Sequence, residues 1–245
     1  MAISDDQLYK ILRDNEYLNA SELKQAQTLD AKIGKKQIAN RRENNGGSKW
    51  ITGELARKEV HCLRNVYDAI LIGANTVEID NPELNVRGIE DSRNPIRIIL
   101  DNNLITKPDA NVYKNNATVF LVTKTGQPKD KLKSYKGTII IEIPSDSQGK
   151  IHLKELFIEL GKREILSVLV EAGPTLASEL ILKNLIDEYI LFISPKIFGS
   201  SDGIPNFKLG SHENTNKTID FQLFDYKIIG NDFMLSLRAG EKEEK

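Results

Sequence analysis

The sequence predicts an α/β fold with a mainly parallel mixed sheet, flanking helices and a C-terminal antiparallel hairpin. Short apolar segments alternate with amphipathic helical segments along most of the 245 residues, a pattern typical of parallel sheets covered on both faces. In the segment Ser167–Leu176, SVLVEAGPTL, an apolar strand is followed by Glu171 and Gly173 and then by a helical pattern. Two apolar segments around Gly230 and Asn231 predict the hairpin. No repeat or composition break marks a second domain, so one α/β domain is predicted.

Three helices follow from the 3.6-residue period. The first begins after Thr52 as N-cap and includes ELARKEVHCLRN (54–65), the second is LKELFIELGKR (153–163), and the third runs from Pro174 to about Asn184. The polar stretch Gly34–Gly47 is predicted to be a flexible loop. The predicted strands are, in order, DAILIG (68–73), IRIIL (96–100), TVFLVT (118–123), TIIIEI (138–143), VLV (168–170), EYILFI (188–193), FQLFDYKIIG (221–230) and DFMLSLR (232–238).

Composition and charge exclude several classes of protein. The formal net charge of -1 offers no basic excess to hold nucleic acid or an anionic membrane. No apolar run is long enough to span a bilayer, and the N-terminal residues do not form a secretory signal. The single Cys62 excludes an internal disulfide and indicates a reducing compartment. A cytoplasmic location is therefore predicted.

The common catalytic and metal-binding motifs are missing from the sequence. It contains no G-x-G-x-x-G, no phosphate-binding lysine loop, no H-E-x-x-H and no G-x-S-x-G. The three histidines, His61, His152 and His212, lack ligand spacing, so no metal site is predicted. His61 is interpreted as a surface imidazole, and Cys62 as a partly buried thiol.

Three clusters of residues could carry chemistry, because ligands of open α/β sheets bind beyond the carboxyl ends of the strands. In the first cluster, Glu171 ends a strand, Gly173 allows close approach to the backbone, and Pro174 begins a helix whose free N–H groups attract phosphate. The second cluster is GANTVEIDNPELNVRG (73–88), read as a turn-rich loop, and the third is SKWITGELARKEVHCLR (48–64). Taken singly, each cluster can also be an ordinary turn, a core residue or a solvated charge.

Together the three clusters resemble one family, the reductase domain of the bifunctional riboflavin-biosynthesis deaminase-reductase. The resemblance rests on SKWITGELAR, LIGANTVEIDNPELNVR, PIRIILDN and VLVEAGPTLASELILKNLIDEYILFISPKIFG, in this order. It covers a reductase domain (23–238) after an N-terminal extension (1–22), and the polar last residues predict a disordered tail (239–245). It implies a dihydrofolate-reductase-like fold. The zinc ligands of the family's deaminase domain are absent, so the chain is read as a stand-alone reductase or as a piece of a longer or split system.

The resemblance implies NADPH-dependent reduction of 5-amino-6-(5-phosphoribosylamino)uracil to its ribitylamino product. It also implies a homodimer, for which EYILFI and the following SPKIFG offer apolar edge surface, and a separate deaminase as a partner. Two alternatives stay open. One is reduction of the 2,5-diamino-6-ribosylamino-pyrimidinone 5-phosphate before deamination, and the other is a non-catalytic paralogue that binds a nucleotide or phosphosugar.

The resemblance also transfers site residues to this sequence. Glu171 is expected to contact the substrate without a structural role of its own, and the proton is expected to come from Lys24 or Glu171, directly or through water. Arg64 and Arg87 suit a phosphate because their guanidinium groups are forked and permanently charged. The implied cofactor residues are Ala26, Trp50, Thr52, Thr76, Asp80, Gly173, Pro174, Thr175 and Leu176. The implied substrate residues are Lys24, Ser48, Arg64, Leu84, Arg87 and Glu171.

Overall fold

The computed structural model describes residues 51–115, 117–196 and 219–239, and the backbone alone of Lys24–Leu29. The predicted extension (1–22), the loop Gly34–Gly47 and most of the predicted tail lie outside the described residues. The tail prediction is wrong at its first residue, because Ala239 is the last residue of a strand. No described helix is long and apolar enough to cross a membrane.

The described residues form a nine-stranded sheet in the order β5-β4-β3-β2-β6-β1-β7-β9-β8. Neighbouring strands run parallel from β5 to β7, whereas β9 lies antiparallel to both β7 and β8. The mainly parallel mixed sheet and its C-terminal hairpin are therefore confirmed. The strands are β1 (Lys24–Leu29), β2 (Ala69–Gly73), β3 (Ile96–Leu100), β4 (Val119–Lys124), β5 (Ile139–Ile143), β6 (Ser167–Val170), β7 (Glu188–Ile193), β8 (Phe221–Ile229) and β9 (Asp232–Ala239).

The helices cover both faces of the parallel part of the sheet. One face packs against two helices through residues such as Leu156 and Leu180. On the other face, Leu169 packs with Ala56 and Val60 of the first helix, and alternate residues of each strand point to opposite faces. The helices are α1 (Glu54–Val66), α2 (Ala74–Asp80), α3 (Lys129–Leu132), α4 (Leu153–Lys162) and α5 (Pro174–Leu182), with a short 3-10 helix at Asn111–Tyr113.

Several features of the fold differ from the sequence prediction. β1, α3 and the short 3-10 helix are not among the predicted elements, and two predicted features are wrong. The segment after β2, predicted as a turn-rich loop, begins with α2, which ends where Asn81 adopts the left-handed conformation at φ 41°. The strand EYILFI, predicted to supply an edge, is β7, which pairs with β1 and β9 and is therefore interior. The hairpin strand β8 occupies that edge instead.

Candidate functional site

The candidate site lies where β2 and β6 end. These strands are neighbours, and the N–H of Glu171, one residue beyond β6, donates to the carbonyl of Leu71 in β2 at 3.0 Å. Each strand leads through a glycine, Gly73 or Gly173, directly into a helix. Because parallel strands present their carboxyl ends at the same edge, the two strand-to-helix turns lie side by side.

Glu171 forms a buried ion pair with Arg64. Its carboxylate accepts from Nε of Arg64 at 2.6 Å and from Nη2 at 2.8 Å, and the two side chains are 1% and 8% exposed. Leu169 and Glu171 share the sheet face beneath α1, whose buried stripe of Ala56, Val60 and Arg64 repeats every four residues. The prediction that Glu171 has no structural role is therefore wrong, since it neutralises a buried guanidinium.

Arg64 also holds the loop that follows α2. Its Nη1 donates to the carbonyl of Asn85 at 3.1 Å. In this loop Leu84 has a φ of 55° and is buried in a second part of the core with Val77. A leucine in the left-handed region is strained and persists where its surroundings fix it, which is common at ligand sites. Leu84 is only 1% exposed, so in this structure it shapes the loop between α2 and Arg87.

Arg87 lies in the same loop but points into solvent. Its side chain is 63% exposed, with Nε donating to Oδ1 of Asn85 at 2.9 Å and Nη2 lying 3.5 Å from a carboxylate oxygen of Glu83. The structure therefore joins Arg64, Leu84, Arg87 and Glu171 in one neighbourhood. It separates the two arginines by environment, one buried against a carboxylate and one exposed.

The turn at Gly173 leaves room at the backbone. Gly173 has a φ of -74°, which any residue can adopt, and no atom of the described residues lies within 4 Å of the position of a Cβ. Neither backbone strain nor packing therefore requires glycine at this turn. The first N–H groups of a helix have no partner inside it, so α5 presents donors beside this open space. Thr175 is exposed and Leu176 is buried, as expected for a helix start that turns one face to the core.

Thr52 lies just before α1, but the prediction that it is the N-cap of this helix is wrong. The cap is Gly53, whose N–H donates to the carboxylate of Asp232 in β9. Thr52 is only 3% exposed, and its buried hydroxyl has no hydrogen-bond partner among the residues that the structure describes. Sequence reasoning missed Asp232, because a carboxylate 179 positions away along the chain leaves no local signal.

The remaining predicted site residues lie in α2, in β1 or outside the described residues. Thr76 and Asp80 are half-buried residues of α2, and Ser48 and Trp50 lie outside the described residues. β1 contains Lys24 and Ala26, with Lys24 opposite Ser167 and Ala26 opposite Leu169. Since Gln27 pairs with Val170, the backbone of Lys24 is four positions, about 13 Å along the strand, before the level of Glu171.

His61 is more enclosed than a surface imidazole. It is half-buried and lies one helical turn before Arg64, and its buried Nδ1 has no hydrogen-bond partner in the described part of the chain. Burial lowers the pKa of His61, as do the nearby guanidinium groups of Arg64 and Arg87, while the carbonyl of Asn85 and the carboxylate of Glu171 act in the opposite direction. Cys62 is half-buried as predicted, and burial raises the pKa of its thiol.

The described residues contain no group of three or more His, Cys, Asp or Glu side chains that could hold a metal ion. The site is instead made of one ion pair, one exposed arginine, a hydroxyl and the start of a helix. Such a set can bind and orient an anionic ligand and a polar heterocycle, because it combines guanidinium donors with a carboxylate acceptor.

Comparisons of the sequence with known proteins show the family of this chain. The sequence model described as the RibD C-terminal domain matches residues 22–235. The chain is 32% identical over 217 residues to riboflavin biosynthesis protein RibD of Aquifex aeolicus, covering 88% of this chain and 56% of that protein. It spans about half the length of several curated relatives that it matches. It is also 33% identical over 205 residues to the 5-amino-6-(5-phosphoribosylamino)uracil reductase of Buchnera aphidicola subsp. Acyrthosiphon pisum, covering 79% of this chain and 97% of that protein.

Solved structures are also similar to this chain. Acinetobacter baumannii RibD superposes with a TM-score of 0.73 at 26% identity, covering 97% of this chain and 64% of that chain. The riboflavin biosynthesis reductase Rib7 of Saccharomyces cerevisiae shares the fold, with a TM-score of 0.64 at 19% identity over 95% of this chain and 99% of that chain. These structures share the α/β fold of this chain. The chain belongs to the RibD C-terminal domain family.

Proposed function

We propose that this chain is a reductase that uses NADPH to reduce the ribosyl group of 5-amino-6-(5-phosphoribosylamino)uracil to the ribitylamino group. Family membership supports the proposal, as does the relative that carries this activity in its name and is matched over 97% of its length. The observation that carries it is the grouping of Glu171, Arg64 and Arg87 beside the Gly173 turn. This grouping supplies a carboxylate acceptor, guanidinium donors suited to a phosphate, and a helix N-terminus at one edge of the sheet.

We place the cofactor at the carboxyl edge of the sheet. NADPH would supply the hydride when bound, and Gly173, Pro174, Thr175 and Leu176 would receive one of its phosphates at the start of α5. The unpartnered hydroxyl of Thr52 fits a hydrogen-bonding ligand, because a buried hydroxyl without a partner is unfavourable by about 1–3 kcal/mol. The further cofactor residues that we propose are Ala26, Trp50, Thr76 and Asp80.

We place the substrate phosphate at Arg87. An exposed guanidinium can give its outer edge to phosphate in a bidentate contact. Arg64 donates three N–H groups to Glu171 and Asn85, so its contribution to the phosphate is mainly its charge. Ser48, Lys24 and Leu84 complete the proposed substrate residues.

Glu171 is proposed to orient the substrate as an acceptor. A carboxylate that takes two hydrogen bonds from a guanidinium is ionised and has no proton to donate. Carboxylate oxygens are acceptors for groups such as the pyrimidine amine or the sugar hydroxyls. The proton that accompanies hydride transfer is then supplied by water, with Lys24 as the side chain proposed to assist, and the chain positions the reacting carbon.

The function is tested by adding substrate to purified protein with NADPH and following the loss of NADPH absorbance. The deaminated pyrimidine and its 2,5-diamino counterpart are assayed side by side, and the ribitylamino product is identified by mass. We expect faster turnover of the deaminated substrate. Faster turnover of the diamino compound would assign the other pyrimidine, and no oxidation with either would leave a non-catalytic binding protein.

We also propose a homodimer built on the hairpin edge. Leu223, Tyr226, Ile228 and Phe233 are 42–68% exposed, and Ile228 lies opposite Phe233 on paired strands. The neighbouring Met234 is buried with residues of α1, so Phe233 and its partners face away from that helix. Apolar side chains on an edge strand favour pairing with a second copy.

The dimer is tested by sedimentation velocity. We expect a mass near twice the 27.6 kDa of one chain, and a monomer for Ile228→Glu. A parent mass of one chain at micromolar concentration would contradict the proposal. A cytoplasmic location and a separate deaminase partner are proposed on the same family basis.

A further inference from the structure

We infer that Asn85 is a positioning residue that orients Arg87 toward the substrate phosphate and ties it to the buried Arg64–Glu171 pair. This inference rests on the proposed function, because it needs Arg87 to bind phosphate. Asn85 lies between Leu84 and Arg87 in the loop after α2 and is half-buried. The backbone carbonyl, Oδ1 and Nδ2 of Asn85 each have a hydrogen-bond partner.

The side chain of Asn85 fixes one edge of Arg87. Its Oδ1 accepts from Nε of Arg87 at 2.9 Å, and its Nδ2 donates to Oε2 of Glu83 at 3.1 Å. A guanidinium carries five donors in a planar fork. When Nε is engaged by Asn85, the Nη1 and Nη2 groups form the outer edge, and a phosphate that bridges them would replace the contact of Nη2 with Glu83 at 3.5 Å.

The backbone of Asn85 makes the second connection. Its carbonyl accepts from Nη1 of Arg64, whose Nε and Nη2 hold Glu171. One residue therefore contacts both arginines, through its carbonyl on the buried side and its amide oxygen on the exposed side. Replacing the side chain with alanine removes the contact with Arg87 but keeps the carbonyl that Arg64 needs.

Asn94 provides a matched control. Its Oδ1 accepts from the N–H of Val86 at 2.8 Å, so it anchors the backbone of the same loop, one residue away from Arg87. An effect of loop anchoring alone would appear in Asn94→Ala as well as in Asn85→Ala. An effect of orienting Arg87 would appear only in Asn85→Ala.

The experiment measures KM and kcat for the phosphorylated substrate in the parent, Asn85→Ala, Asn94→Ala, Arg87→Ala and the double variant Asn85→Ala/Arg87→Ala. We expect Asn85→Ala to raise KM about threefold to tenfold, the scale of one hydrogen bond, with kcat within about twofold. In the Arg87→Ala background the same substitution should change KM by less than about twofold, because coupled residues are not additive. Asn94→Ala should leave KM within about twofold of the parent.

Three results would overturn the inference: an equal rise of KM in Asn94→Ala, an undiminished effect in the Arg87→Ala background, or no effect of Asn85→Ala in the parent. If the parent reduces neither pyrimidine, the proposed function fails and the same five proteins are titrated with ribose 5-phosphate by calorimetry. The same pattern in Kd would then support the positioning role. Absence of binding to the parent, or equal Kd in the parent and Asn85→Ala, would overturn it.

Discussion

The site has a buried half and an open half that share one loop. In the buried half, Arg64 and Glu171 are almost completely enclosed under α1 and neutralise each other. In the open half, Arg87 is 63% exposed, and the backbone at Gly173 has free space around it. Residues of the buried half serve the fold as well as the ligand, so their substitution should reduce stability and activity together. Residues of the open half are held weakly by the fold, so their substitution should reduce affinity alone.

The largest effect is expected from Glu171→Gln. Breaking a buried ion pair leaves an uncompensated charge and destabilises by about 3–5 kcal/mol, which lowers the melting temperature by roughly 6–20 °C in a domain of this size. The surface pair Glu159–Arg163 on α4 provides the control, since Glu159→Gln should cost less than about 1 kcal/mol. Denaturant titration of both variants measures the difference. Equal losses would show that the buried pair is no more important to the fold than a surface pair.

The double variant Arg64→Met/Glu171→Leu separates the structural role of the ion pair from the substrate role of Glu171. Apolar residues of similar volume often replace a buried ion pair without loss of stability. We therefore expect the double variant to recover most of the stability that Glu171→Gln loses, while it still fails to turn over the substrate. Recovery of activity with stability would contradict the substrate role of Glu171.

Arg87→Ala tests the open half. We expect KM for the phosphorylated substrate to rise by the equivalent of about 1.5–3 kcal/mol for a lost charged hydrogen bond, with little change for the dephosphorylated substrate. Arg163→Ala, which removes another partly exposed arginine, serves as the control and should leave both KM values unchanged. An equal loss with both substrates would mean that Arg87 does not bind the phosphate.

Gly173→Ala tests the cofactor side of the open half. The φ of -74° and the empty surroundings of the Cβ position predict a folded protein with a normal melting temperature. If the cofactor lies against this backbone, the added methyl group should weaken the binding free energy of NADPH by about 1 kcal/mol or more, the lower end of the penalty for overpacking. Kd for NADPH rises accordingly. Fluorescence titration with NADPH measures it. An unchanged Kd would place the cofactor elsewhere.

The smallest effect is expected from His61, which borders both halves. Burial and the charges of Arg64 and Arg87 lower its pKa in the folded state, against an opposing contribution from Glu171. A lowered pKa means that the unfolded chain takes up the proton first, so stability is full above the unfolded pKa and falls as pH decreases below it. His61→Asn should flatten the dependence of unfolding free energy on pH below about 6.5. An identical slope in parent and variant would contradict this linkage.

The sequence predicts eight of the nine strands, because these are short segments rich in β-branched and apolar residues, as in IRIIL and EYILFI, whose bounds match β3 and β7. β1, KQAQTL, lacks such a run and is not in that list. The sequence prediction misses α2 because ANTVEID combines asparagine, threonine, valine and aspartate, which are weak helix formers. It also misplaces the edge strand, because pairing of β7 with β9 is a long-range contact.

The site is only partly predictable for the same reason. Glu171 and Gly173 follow from the strand-to-helix pattern, whereas the contact between Glu171 and Arg64 joins residues 107 positions apart. Asp232 is equally remote from the helix start that it caps. Asn85 lies inside a recognisable motif, but only the geometry shows that it contacts both arginines.

The division between the two halves is tested most directly by the melting temperatures of ligand-free Glu171→Gln and Arg87→Ala, measured beside the parent. We predict that Arg87→Ala melts within about 2 °C of the parent, as expected for an exposed residue, while Glu171→Gln melts at least about 6 °C lower. Equal melting temperatures for the two variants would contradict the assignment of one half to the fold and the other to the ligand.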